Sequence, residues 1–246
     1  MKRSTLLVVL CFAAACRTAG PVPPAPPTPE AAALPGALHW FRTSAEYQAA
    51  TIQTYREAAE SLEEIARDLP AGTWAVSLDA DETILDNSQY QKERAAQGLG
   101  YSSDSWAEWV RRKDAPAIPG AVSFLQRVHE LGGKIAIITN RREKVCTETR
   151  DNLTSERLVY DVVLCQPDDD KSGEKEPRWE QVEKGTAAKD LPPLKLVMWI
   201  GDNIQDFPDQ DQSLRGKPED AFKDFGVRWF VLPNPMYGSW EKNPAN

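Results

Sequence analysis

The chain has 246 residues, 41% of them apolar and 27% charged, enough for one large or two small domains and too long for a disulfide-held miniprotein. Against 37 Asp and Glu stand 29 Lys and Arg, a net charge of −8. No basic footprint of the kind that neutralises phosphates is visible, so a nucleic-acid polymer is not an expected partner. Two histidines, His39 and His129, are too few for a His-rich metal cage or for histidine-based phosphoryl transfer.

The first residues are not expected to belong to the fold. Lys2 and Arg3 precede an apolar run from Leu6 to Ala15, which ends Ala13-Ala14-Ala15-Cys16. A basic start, a short apolar run and small residues before the cut describe a secretory signal over residues 1–15. The run is about half the length that a membrane-spanning helix requires. A Cys directly after small residues resembles a bacterial lipobox, with Cys16 as the lipidated mature N-terminus, although Ala13 stands where lipoboxes usually have Leu. The alternative is an ordinary signal cleaved nearby. Seven of the 19 prolines then fall between Pro21 and Pro35. Such a segment cannot pack a core and would extend roughly 45 Å at about 3.1 Å per residue. Residues 16–36 therefore read as a lipidated, Pro-rich linker that holds a domain off a membrane.

From about Trp40 helix-like and strand-like segments alternate. Ser44 can cap a helix to about Asp68, with Tyr47, Tyr55, Ala58, Leu62 and Ile65 on one face. Five short apolar runs come next: Trp74 to Leu78, Ile135 to Ile138, Val162 to Cys165, Leu196 to Ile200 and Trp229 to Leu232. Each is apolar on both faces, as buried parallel strands of an α/β sheet are. Ala121, Phe124, Leu125 and Val128 form the clearest helical stripe, stopped by Gly132-Gly133. The expected architecture is a Rossmann-like parallel-sheet core over residues 37–246, with a small helical cap inserted at about 87–118. Cys146 and Cys165 are the only cysteines of this part. One pair is no disulfide framework, and two buried free thiols are expected, with pairing left open.

The residues just past these runs carry the chemistry. After Leu78 comes Asp79-Ala80-Asp81, after Ile138 comes Thr139-Asn140-Arg141, and after Ile200 comes Gly201-Asp202-Asn203 with Asp206 beyond. Ligands of such sheets sit outside the carboxyl ends of the strands. No GxGxxG or GxxxxGK[ST] stands after a strand, so dinucleotide and P-loop binding are unsupported. Two like charges 4 Å apart cost about 4 kcal/mol at an effective dielectric near 20, so converging carboxylates demand a cation. All-oxygen ligands suit Mg²⁺ shared with a substrate phosphate. One Asp can then attack phosphorus while a second serves as general acid and base.

These residues resemble the haloacid dehalogenase superfamily. Leu78 to Tyr90 (LDADETILDNSQY) and Val197 to Phe207 (VMWIGDNIQDF) are similar to the two signature motifs of class C acid phosphatases, secreted bacterial enzymes that are often outer-membrane lipoproteins. Ala80 and Ile204 depart from the residues usual there, yet both remain apolar. The resemblance implies that Asp79 attacks phosphorus and that Asp81 protonates the leaving oxygen. It implies that Asp79, the Asp81 carbonyl and Asp202 hold Mg²⁺ with support from Asp206, and that Thr139 bonds the phosphoryl oxygens. Either Lys171 or Lys175 would be the accompanying lysine; the resemblance favours Lys175, because Arg178 and Trp179 come after it at the expected offsets. Asn140 and Arg141 are candidates for substrate binding, with a surface position the alternative for Arg141. Trp106 and Tyr237 could sandwich a base or other aromatic leaving group, or could be packing aromatics.

The expected protein is therefore an envelope phosphomonoesterase acting on small phosphate esters, nucleoside monophosphates among them, and held to the membrane by lipid at Cys16. A non-catalytic surface lipoprotein on the same scaffold is the rival. Homo-oligomer formation is left open.

Overall fold

A computed structural model describes Leu34 to Pro244; the expected signal, Cys16 and the Pro-rich segment through residue 33 lie outside the described residues. Five strands form the sheet: β1 (Trp74–Leu78), β2 (Lys134–Arg142), β3 (Val162–Gln166), β4 (Lys195–Gly201) and β5 (Trp229–Val231). All pairings are parallel, in the order β3-β2-β1-β4-β5. The fold is thus α/β with β1 at its centre. Every residue of β1 is buried, as a strand covered by helices on both faces must be. Its side chains alternate between two cores. Trp74, Val76 and Leu78 pack on one side and Ala75 on the other, the period of two that pleating imposes.

Among the described residues seven α-helices accompany the sheet: α1 (Gly36–Thr43), α2 (Ala45–Ala66), α3 (Ser88–Ala96), α4 (Ser103–Arg112), α5 (Ala121–Glu130), α6 (Cys146–Ser155) and α7 (Glu176–Glu183). The Ser44 hydroxyl caps α2 by accepting from the Tyr47 amide at 3.1 Å, which satisfies one of the free N–H groups of the first turn. The Tyr55 hydroxyl of α2 donates to the Thr83 carbonyl at 2.7 Å, so this helix also braces the loop after β1. No helix of the described residues is long and apolar enough to cross a membrane.

Two expectations need correction. First, β2 does not stop at Ile138 but runs through Thr139, Asn140 and Arg141 to Arg142, where Arg142 pairs with Gln166 after a register shift. The strand is carried past Ile138 because β3 pairs with Thr139 and again with Arg142, while Asn140 and Arg141 lie in the register shift between them. Second, Cys146 and Cys165 form a disulfide, with Cα atoms 6.0 Å apart. The short connection from β2 brings the first residue of α6 beside β3, so the two thiols meet. The sequence separation is 19, for which loop-closure entropy gives about 3 kcal/mol of stabilisation. Reduction is therefore expected to lower the denaturant midpoint by the equivalent of about 2–4 kcal/mol. An unchanged midpoint in reductant would show that the crosslink contributes nothing.

Candidate active site

The central strand and its two neighbours end at one edge of the sheet, and the chain order reverses between β2 and β4 around β1, the position at which such sheets bind ligands. Past β1 the chain turns at once. The Ala80 carbonyl accepts from Ile84 and Leu85 at 3.0 and 2.9 Å, and Glu82 sits at φ 54°, in the left-handed region that costs a non-glycine residue energy. This turn points both Asp79 and Asp81 into a cavity of about 990 Å³. Past β4, the Asn203 amide donates to Asp206 Oδ2 at 2.9 Å, and the Asn203 side chain accepts from Gln205 N. That capping turn brings Asp206 back over Gly201. A Cβ at 201 would meet Asp206 Oδ2 at 2.3 Å, so the glycine is required by close approach.

Asp79, Asp202 and Asp206 each offer a carboxylate oxygen within 4.8 Å of the others. Lys175, at the start of α7, is 4% exposed and bonds Asp79 and, at 2.6 Å, Asp206 Oδ1. Burial works against its ammonium, but Asp206 and Asp79 outweigh it and hold Lys175 charged. One lysine does not balance three acids. Burial, then Asp206 and Asp79, push Asp202 well above the usual carboxylate range. Burial and Asp79, opposed by Lys175, push Asp206 up to about 6. Acids that resist ionising in each other's company make an all-oxygen donor set for a further cation, and this set fits a hard divalent ion. Asp202 is aimed by Thr83 Oγ1 at 3.3 Å and Asn234 Nδ2 at 2.8 Å.

Asp81 lines the same cavity. Burial raises its pKa, Arg141 lowers it and Asp79 raises it, for a net rise. Arg141 is almost wholly buried, which excludes a surface role. Its guanidinium donates to Asp81 Oδ1 at 2.8 Å and to Asn87 Oδ1 at 3.0 Å, so it holds Asp81 and is not among the residues lining the cavity. Thr139 is likewise fully buried and absent from the cavity lining; its hydroxyl accepts from the Arg141 amide at 3.1 Å. Asn140 does line the cavity, tied to Gly173 O at 3.0 Å and to Arg178 Nη2 at 2.6 Å. Lys171 is exposed, which leaves Lys175 as the lysine of the cluster. Trp106 and Tyr237 both border the cavity and are partly buried; Trp106 meets Tyr90 edge-on at 5.0 Å.

The site is completed by residues that were given no role there from the sequence, although Asn87 stands in the Leu78 to Tyr90 stretch and Arg178 in the offset pattern that favours Lys175. Asn87 binds Asp81 and Arg141, Asn234 orients Asp202, and Arg178 clamps Asn140 and the Thr139 carbonyl. Tyr101 shares the cavity wall with Trp106. For Asn87 that stretch was the one available signal.

Residues 23–240 match the family described as HAD superfamily, subfamily IIIB (acid phosphatase). The structure is similar to the class C acid phosphatase from Bacillus anthracis, with a TM-score of 0.71, 30% identity and coverage of 83% of this chain and 85% of that one. The same enzyme with tungstate bound gives a TM-score of 0.71 at 29% identity, with the same coverage of both chains. Among curated proteins, acid phosphatase 1 of Solanum lycopersicum is 28% identical over 65% of this chain and 57% of its own length. The stem 28 kDa glycoprotein of Glycine max is 27% identical over 70% and 63%. The chain thus spans about three fifths of those plant relatives. It belongs to the acid phosphatase subfamily IIIB of the HAD superfamily, and its α/β core is that of a class C acid phosphatase.

Proposed function

We propose that this chain hydrolyses phosphomonoesters with Asp79 as nucleophile and Asp81 as general acid and base. The observation that carries the reading is the cluster of Asp79, Asp202, Asp206 and Lys175, the last two of them buried, which lines one cavity together with Asp81. A binding-only protein has no need of five charged groups held so close. In this reading the Asp79 carboxylate attacks phosphorus as the ester P–O bond breaks. Asp81 then gives its proton to the leaving oxygen. In the second half Asp81 takes a proton from the water that releases phosphate from Asp79. Lys175 fixes the Asp79 carboxylate. Asp79, Asp202, the Asp81 carbonyl and, in support, Asp206 would hold Mg²⁺, which supplies neutralisation of the phosphate charge that otherwise repels a carboxylate. Tungstate, bound by the Bacillus anthracis enzyme, is a tetrahedral oxyanion like phosphate, in keeping with such a site.

The cavity also constrains the leaving group. Glu174, Glu176, Asp209, Asp211 and Glu241 line it, and Lys175 is its one cationic side chain among the described residues. A leaving group that is itself anionic would be repelled, whereas an uncharged one can rest on Trp106 and Tyr237. Nucleoside monophosphates fit that requirement. Purified protein with Mg²⁺ is expected to release phosphate from nucleoside monophosphates with kcat/KM at least about tenfold above that for the triphosphates, a difference of about 1.4 kcal/mol. Equal values for both would remove the proposed charge selection, and no release from either would refute the phosphatase reading. The Cys146–Cys165 bond suits an oxidising compartment, which supports a place in the cell envelope with lipid at Cys16 as the anchor.

A further inference from the structure

We infer that Asn87, held by Trp109, is a positioning residue that turns one oxygen of Asp81 toward the leaving group; the inference rests on Asp81 being the general acid. Asp81 Oδ1 accepts from the Arg141 guanidinium at 2.8 Å and from Asn87 Nδ2 at 2.9 Å. Oδ2 has no partner among the described residues, and Asp81 borders the cavity. An oxygen that already accepts two N–H donors is a poor place for a proton, so the transferable proton belongs on Oδ2.

The orientation of the Asn87 amide is what makes this arrangement one-sided. Its Oδ1 accepts from Trp109 Nε1 at 2.8 Å and from Arg141 Nη2 at 3.0 Å. Indole and guanidinium nitrogens only donate, so the amide oxygen must face them and the NH₂ must face Asp81. The Asn87 main chain is fixed as well, through its amide to Glu82 Oε1 at 2.7 Å. Asn87 is fully buried and Trp109 is 3% exposed, so water does not compete for these bonds.

Trp109 belongs to α4, the helix that also presents Trp106 to the cavity. The guanidinium of Arg141 lies over the Trp106 ring at 5.8 Å. One helix therefore both borders the leaving-group space and holds the Asp81 support. When α4 is seated, Oδ2 delivers its proton to the ester oxygen as that oxygen takes the electron pair of the breaking P–O bond. Asp81 is left as a carboxylate, its Oδ1 still held by Arg141 and Asn87. Without the Trp109 donor, the Asn87 amide oxygen keeps only Arg141 Nη2 to set its direction.

The test compares two esters, because a general acid matters most when the leaving group is a strong base. Glycerol 2-phosphate and 2,4-dinitrophenyl phosphate are assayed for kcat/KM with wild type, Asp81→Asn, Asn87→Asp and Trp109→Phe, each checked for native circular dichroism. Asn87→Asp keeps the shape but sets a carboxylate oxygen against Asp81 Oδ1, drawing the proton between the two acids. It is expected to lose about a hundredfold on the alkyl ester and less than about threefold on the aryl ester, within the range general acids contribute. Trp109→Phe, which keeps the packed ring and guards against a misfolded Asn87 variant, is expected to show the same split at about fivefold. If Asp81→Asn shows the split and the other two lose equally on both esters, or lose nothing, the positioning role is overturned. If Asp81→Asn itself shows no split, the general-acid assignment fails, and the inference fails with it.

Discussion

Asp79→Asn is expected to reduce phosphate release by at least about three orders of magnitude, since loss of a nucleophile removes the covalent route altogether. The same change is expected to leave the metal-free fold as stable as before, or more so. Asp79 raises the pKa of both Asp202 and Asp206, so its charge is a burden on its neighbours. An asparagine oxygen can still accept from Lys175, while the repulsion disappears. Activity lost with stability kept or gained is the signature of a site whose charges are assembled for chemistry at the expense of the fold. Measuring kcat and the thermal midpoint on one preparation separates the two. A variant that unfolds would mean that Asp79 is structural.

Removal of divalent metal by EDTA is expected to abolish turnover, and Mg²⁺ to restore it. Three carboxylates within 4.8 Å share one ammonium, and the excess charge is what a divalent ion would neutralise. The stability of the protein should report the same event. A ligand at a hundred times its dissociation constant stabilises by about 2.7 kcal/mol, so Mg²⁺ should raise the melting midpoint of wild type and have no such effect on Asp202→Asn. The pH dependence of the metal-free protein has a definite sign. Asp206, pushed up to about 6, binds its proton more tightly folded than unfolded. Its contribution to stability therefore grows as pH falls through about 6 toward the ordinary carboxylate value near 4. Bound metal should erase that gain, because it competes with the proton for the same oxygens. Undiminished hydrolysis in EDTA would contradict the metal assignment.

The strands were legible because a strand buried on both faces is written as a largely apolar run, and Trp74 to Leu78, with Ser77 its one polar residue, is such a run. Asp79, Asp81, Asp202 and Asp206 were legible because they stand where those runs end, and the runs end at one edge of the sheet. Lys171 and Lys175 lie in one charged stretch, where only the resemblance, through the offsets of Arg178 and Trp179, favoured Lys175; burial at the start of α7 separates them. Arg141 was open for a related reason: it is buried in the register shift of β2, bonded to Asp81 and Asn87, and apolar patterning shows neither. The Cys146–Cys165 bond, Asn234 beside Asp202 and Arg178 beneath Asn140 all depend on segments distant in the chain meeting in space. Such residues become functional through their neighbours, which the local sequence does not name.

The central claim is that Asp79 carries the phosphoryl group during turnover. The most direct measurement is to quench the Mg²⁺-loaded protein in acid while it turns over a phosphomonoester, digest it, and weigh the peptide that contains Asp79. A peptide heavier by one phosphoryl group, present with substrate, absent without it and absent in Asp79→Asn, is the predicted result. Steady phosphate release with that peptide unmodified at every quench time, and undiminished in Asp79→Asn, would contradict the claim.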